Sequence, residues 1–224
     1  TSPAMRKILT PFVFFILVTV NCLNPISTYA QYAQIADFTS NDSITGANPV
    51  GNLINVGGTL FGLTKYGGSN NKGTIFKILP DGTGHNIIFN FTGLASGSNP
   101  NGSLIFDGTY LYGTTEIGGT FNSGILFKIL PDGTGFTSLF SFSGSTSGTY
   151  PRGSLVLDAG FLYGTASFGG TTNKGTVFKI NTNGSGFVKL LDFAGTTNGS
   201  NPYGSLIIDS NYLYGTTSVG GINN

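Results

Sequence analysis

A Gly-Gly pair returns at an interval of 51 residues along this 224-residue chain, at Gly67–Gly68, Gly118–Gly119, Gly169–Gly170 and Gly220–Gly221. Phe-Lys keeps step at Phe76–Lys77, Phe127–Lys128 and Phe178–Lys179, and proline does so at Pro49, Pro100, Pro151 and Pro202. A fixed long period marks a repeat architecture: one unit cannot bury its own apolar face, and stacked neighbours supply the core.

The unit from Asn101 to Pro151 shows what each copy builds. Gly102 to Phe106 is a short apolar run closed by Asp107-Gly108, a pair that favours a tight turn. Tyr110 to Thr115 follows, rich in the aromatic and β-branched residues that strands favour, and leads to Gly118–Gly119. Ile125 to Leu130 makes a third strand, stopped by Pro131-Asp132-Gly133-Thr134-Gly135, where proline presets φ and the glycines take left-handed positions. Phe136 to Phe142 is the fourth strand, and Ser143 to Tyr150 connects to the next unit. Four short strands per unit predict an all-β fold, a β-propeller of four-stranded blades, with almost no helix after residue 30. A β-solenoid or flatter stack is the alternative.

Two phrases carry a family resemblance. Gly-Thr-x-Phe-Lys-Ile stands at Gly73 to Ile78 and Gly175 to Ile180, and Leu-Tyr-Gly-Thr-Thr at Leu111 to Thr115 and Leu213 to Thr217. The chain over residues 35–224 thereby resembles the GloVer-type tandem repeats of secreted bacterial proteins. The resemblance implies export and a propeller-like fold, and brings no catalytic residues with it. Members of that family often end in an anchoring or sorting segment, and none is visible in this sequence. The strand order also resembles a kelch-type blade, although the kelch tryptophan is missing because the chain has no Trp.

The first residues read differently. Residues 1–4 precede Met5 and are set aside as upstream sequence; Arg6, Lys7, the apolar run Ile8 to Val20 and the small residues up to Ala30 predict a signal peptide over 5–30. The apolar run is short for a membrane span and contains Pro11, so no stable span is expected once the signal is removed. Cys22 would leave with it, and the mature chain would have no thiol chemistry. Residues 31–224 are then the repeat domain, with units at 47–97, 98–148, 149–199 and a partial unit at 200–224. Ile35 to Phe38 match Leu190 to Phe193, so the domain opens on a fourth strand. Propellers close with about four or more blades, so three units and part of another predict an incomplete ring.

Charged residues are 8% of the chain and the net charge is +1, which excludes the basic patch of a nucleic-acid binder. The expected location is outside the cell or on its surface. In a propeller the connections from strand two to three and from blade to blade share one face, and here these are the long loops. Candidate binding residues are therefore Asn71, Asn122 and Asn173, with Tyr150, Arg152 and Tyr203 from the inter-blade connections. The same asparagines would equally serve to satisfy loop backbone and adopt left-handed φ.

No cofactor or metal is expected. Asp107, Asp158 and Asp209 recur at the interval, as do Asp81 and Asp132, and periodic carboxylates are what turns require. His85, Glu116 and Arg152 are the unmatched polar residues, and they fall at different places in their units. An enzyme should instead bring such residues into one pocket. The reading is thus a non-catalytic exported scaffold for a protein or glycan. The alternatives are an extracellular carbohydrate-active propeller whose catalytic groups lie outside this sequence, and a structural spacer or adhesin.

Overall fold

A computed structural model describes residues 34–38 and 45–221; the signal peptide expected at 5–30 lies outside the described residues. Strands β1 (Ala47–Val56), β2 (Thr59–Tyr66), β3 (Thr74–Ile78) and β4 (Asn86–Asn90) form one antiparallel sheet in chain order. The second sheet repeats it with β5 (Ser98–Phe106), β6 (Leu111–Ile117), β7 (Ile125–Ile129) and β8 (Thr137–Ser141). In the third, the first strand is split into β9 (Thr149–Pro151) and β10 (Val156–Asp158), followed by β11 (Phe161–Phe168), β12 (Thr176–Asn181) and β13 (Val188–Asp192). β14 (Ile207–Ile208) and β15 (Leu213–Tyr214) begin a fourth. Among the described residues the only helix is the four-residue turn α1, Gly144–Ser147.

The repeated phrases have identifiable causes. Gly113 of β6 sits opposite Phe127 of β7, and a Cβ on the glycine would lie 2.6 Å from the phenyl ring. The Tyr-Gly-Thr phrase thus leaves room for the ring of the Phe-Lys phrase on the next strand. Gly62 with Phe76 and Gly164 with Phe178 repeat the arrangement. The lysines next to these rings sit over aromatic faces: Lys128 Nζ is 4.3 Å from the Tyr110 centroid and Lys179 Nζ is 3.7 Å from that of Phe161.

Burial lies between sheets, as a repeat stack requires. One cluster joins Leu63, Ile75 and Phe91 of the first unit to Leu104, Ile125 and Phe127 of the second. Another joins Leu126 and Phe142 of the second to Leu155, Leu162 and Phe178 of the third. Both of these seams are closed by a set of four rings. Phe91 meets Phe127 edge-on at 5.3 Å while Phe89 stacks on Phe136 at 4.2 Å. At the following seam Phe142 meets Phe178 at 5.1 Å and Phe140 stacks on Phe187 at 4.2 Å.

Residues 34–38 complete the same pattern ahead of the first sheet. Phe38 lies 4.9 Å from Phe76, in the place that Phe91 takes against Phe127. His85 stacks on Phe76 at 5.5 Å where Phe136 stacks on Phe127, so the single histidine is the ring counterpart of a seam phenylalanine. Its packing against Phe38 and Phe76 gives this unmatched polar residue a place in the seam.

The first strands also bind one another directly. Asn52 N–H donates to Ser103 Oγ at 2.7 Å, Ser103 N–H to Ser154 Oγ at 2.8 Å, and Ser154 N–H to Ser205 Oγ at 2.9 Å. One serine hydroxyl per unit thus satisfies the backbone of the unit before it. Ser154→Ala removes the acceptor for Ser103 N–H and is expected to cost about 1–2 kcal/mol. Urea unfolding should show a lower midpoint with an unchanged slope; an unchanged midpoint would mean that the ladder holds nothing.

Candidate binding rim

One Asn in each connection between strands two and three closes the Gly-Gly turn of its unit. Asn71 Oδ1 accepts Gly67 N–H at 2.9 Å, Asn122 Oδ1 accepts Gly118 N–H at 3.2 Å, and Asn173 Oδ1 accepts Gly169 N–H at 2.9 Å. All three are left-handed, with φ of 51°, 52° and 56°. Their carbonyls hold the loop, and short polar side chains tolerate that conformation.

The other three candidates come together. Arg152 follows β9, and its guanidinium lies 5.1 Å from the Tyr203 ring centroid, 5.8 Å from Phe168 and 6.0 Å from Tyr150. Phe168 meets both tyrosines edge-on, at 6.0 Å from Tyr150 and 6.3 Å from Tyr203. The tyrosines are 38% and 41% exposed, so the group is open to solvent.

Beneath it is a charge network that sequence reasoning missed. Glu116, at the end of β6, has a side chain only 7% exposed. Its Oε2 is 3.0 Å from Lys65 Nζ, and its Oε1 is 2.5 Å from Arg152 Nε, an ion pair without an aligned hydrogen bond. Asn101 Nδ2 donates to Oε1 at 3.4 Å. Glu116 and Arg152 occupy different places in their units but face each other across a seam, where a second strand ends beside the start of the next unit's first strand. Lys65, Glu116 and Ser167 are one position in three successive units, and Val50, Asn101, Arg152 and Tyr203 are another in four. The signal was available as variation among copies: both variable positions lie at one rim.

The opposite end of the sheets carries the repeating carboxylates. Asp81 and Asp132 each accept the N–H and hydroxyl of the threonine two residues on, at 2.7–2.9 Å. Asp209 accepts Asn211 and Tyr212 N–H groups and the Tyr214 hydroxyl, each at 2.9 Å. Asp107 does the same with Thr109, Tyr110 and Tyr112.

The backbone N–H of Thr83, Thr134 and Asn211 are the main causes that hold Asp81, Asp132 and Asp209 below the ordinary carboxylate value. Burial alone would raise Asp107, but the Tyr110 N–H and Tyr112 hydroxyl outweigh it and hold this carboxylate low as well. A pKa depressed by folding adds stability above the unfolded value, and that stability disappears as pH falls through the folded one. Melting temperature should therefore hold steady above the ordinary aspartate value of 3.8 and fall below it. A melting temperature that rose on acidification through that range would contradict these turns.

The apolar groove beside residues 34–38 is lined by Ile35, Phe38, Leu53, Phe76 and Ile78 among others, and among the described residues no titratable side chain lines it. No group of three or more His, Cys, Asp or Glu that could hold a metal gathers among the described residues. Nor is any helix among them long and apolar enough to cross a membrane. Polar character at the rim thus centres on Lys65, Glu116 and Arg152.

The profile of the Gloeobacter/Verrucomicrobia repeat matches residues 24–224. The chain belongs to the Gloeobacter/Verrucomicrobia repeat family. Among solved structures, a chain of a nidogen/laminin complex is similar to this repeat protein with a TM-score of 0.51 and 18% identity, over 76% of this chain and 54% of that one. The repeat protein thus spans about half the length of the structure it matches. TolB from Acinetobacter baumannii gives a TM-score of 0.48 at 13% identity, over 84% of this chain and 44% of that one. The Bacteroides ovatus protein titled xyloglucan PUL GH43B gives 0.44 at 16%, over 75% and 35%. No curated protein matches the chain. The likeness to the nidogen/laminin chain and the antiparallel four-stranded sheets in series give this Gloeobacter/Verrucomicrobia repeat protein the β-propeller fold, with three blades and two strands of another among the described residues.

Proposed function

We propose that this propeller is a non-catalytic, exported binding scaffold whose ligand, a protein or a glycan, meets the rim around Arg152. Export is read from the amino-terminal sequence. The observation that carries the binding role is the convergence of residues from two positions that differ from copy to copy. Lys65, Glu116 and Arg152 join beneath exposed Tyr150 and Tyr203, whereas the turns at the other end repeat. Rigid sheets presenting a varied loop face are a common basis for recognition.

An extracellular carbohydrate-active enzyme is the second reading, and the meeting of Glu116 with Arg152 is what favours it. Glycoside hydrolysis ordinarily needs two carboxylates across the scissile bond. Glu116 faces two cations, and Asp81, Asp107, Asp132 and Asp209 are engaged in turns at the far end. That arrangement supports binding over hydrolysis.

Glycan and protein arrays probed with the full chain test the proposal. The expected result is at least one retained ligand that Arg152→Ala with Tyr203→Ala abolishes, with no turnover of any retained polysaccharide. Hydrolysis of the ligand, or retention indifferent to the double variant, would overturn it.

A further inference from the structure

Resting on that reading, we infer that the rim is built for a carboxylate-bearing polysaccharide, with Arg152 taking the carboxylate and Tyr150 and Tyr203 packing against sugar rings. Backbone geometry at Tyr150 is the first support. Its φ is 54°, and the three equivalent positions, at 59°, 56° and 55°, hold Asn48, Asn99 and Asn201. A bulky aromatic residue in the left-handed region is an outlier of the kind that gathers at functional sites, whereas asparagine is tolerated there. The fold gains no backbone contact from the exchange. Tyr150 N–H donates to Ser123 O at 3.0 Å, as Asn99 N–H does to Lys72 O at 2.9 Å and Asn201 N–H to Lys174 O at 2.8 Å. The use of the phenol ring therefore lies outside the backbone scaffold, on a face that is 38% exposed.

Charge gives the second support. Lys65 and Arg152 share one buried carboxylate, so the cluster carries one positive charge in excess. Glu116 pairs with the Nε side of the guanidinium, while the Arg152 side chain remains 30% exposed. A planar guanidinium so placed is suited to paired hydrogen bonds with a ligand carboxylate. Outside the cluster the chain offers little attraction to a polyanion, since the remaining 8 Lys and Arg stand against 8 Asp and Glu. Affinity for an acidic polymer would then be local to this cluster. The exposed tyrosines near the cation supply flat apolar rings for the C–H groups of a saccharide, and this favours a sugar acid over an acidic peptide.

Retention of the full chain on immobilised polygalacturonate, alginate and hyaluronan, each beside its carboxyl-reduced form, tests this. At least one acidic polymer should retain the chain about tenfold more strongly than its reduced counterpart. Arg152→Gln should abolish that difference. Tyr150→Asn restores the residue found in the other units and should weaken retention while leaving the melting temperature equal or higher, which separates a ligand role from a structural one. Equal retention on acidic and reduced polymers would overturn the carboxylate claim and leave the binding rim standing. Retention on none of the three would overturn it too, while an array ligand of another kind would preserve the broader proposal. Retention unmoved by both variants would remove the rim from either account.

Discussion

Gly73→Ala is expected to lose about 2–5 kcal/mol of stability, combining the cost of left-handed backbone with that of an overpacked contact. Gly73 has φ of 97°, and a Cβ there would fall 2.5 Å from both Pro100 Cδ and Thr64 O. Pro100 belongs to the next unit, so the glycine of one copy is shaped by the proline of the following copy. Gly124 with Pro151 and Gly175 with Pro202 repeat the contact. Gly57→Ala is the control: its φ is 59° with nothing within 4 Å, so it should show only the backbone share, about 1–2 kcal/mol. Urea unfolding of both variants separates the terms. Equal losses would mean that the proline contact has no energetic weight.

Phe142→Ala should cost about 3–5 kcal/mol, the usual range for emptying a buried phenyl site. The side chain is fully buried, and its ring meets Phe140 at 5.2 Å, Phe178 at 5.1 Å and Phe187 at 6.5 Å. Its backbone N–H also donates to Gly124 O at 3.0 Å, which alanine would keep, so the loss reports the ring alone. Domains of this kind are held by only about 5–15 kcal/mol, so the variant should be close to unfolding at moderate temperature. A loss below about 1 kcal/mol, the scale of a tolerated apolar exchange, would mean that the seam is not the core.

The interval of 51 residues made most of this legible, because each repeated residue answers to a contact that every unit must make. Phe-Lys marks the seam ring, Gly-Thr the glycine beneath the next proline, and Asp-Gly-Thr-Gly the carboxylate-capped turn. The sequence pattern alone makes the first strands too short. β5 begins at Ser98 and runs through Pro100, which pairs opposite Thr115 before the register shifts between Asn101 and Ile105. A proline is admissible there because β5 is the outermost member of its sheet's hydrogen-bonded order.

The rim was only half legible. Tyr150, Arg152 and Tyr203 were found from loop placement, but Glu116 was set apart from Arg152 because comparison by phase separates residues that a seam brings together. Lys65 was hidden for the same reason, being in phase with Glu116 and not with Arg152. Left-handed φ at Tyr150 had a visible trace, since asparagine holds the equivalent place in the other units.

Hydrogen exchange of the full chain, with and without saturating acidic polysaccharide, puts the account at greatest risk. Slower exchange is predicted at residues 65–66, 116–117, 150–152 and 201–203, with the turns at 81–84, 107–110 and 132–135 unchanged. Slowing confined to those turns would contradict the assignment of recognition to the Arg152 end of the propeller, and slowing nowhere would contradict its recognition of an acidic polysaccharide.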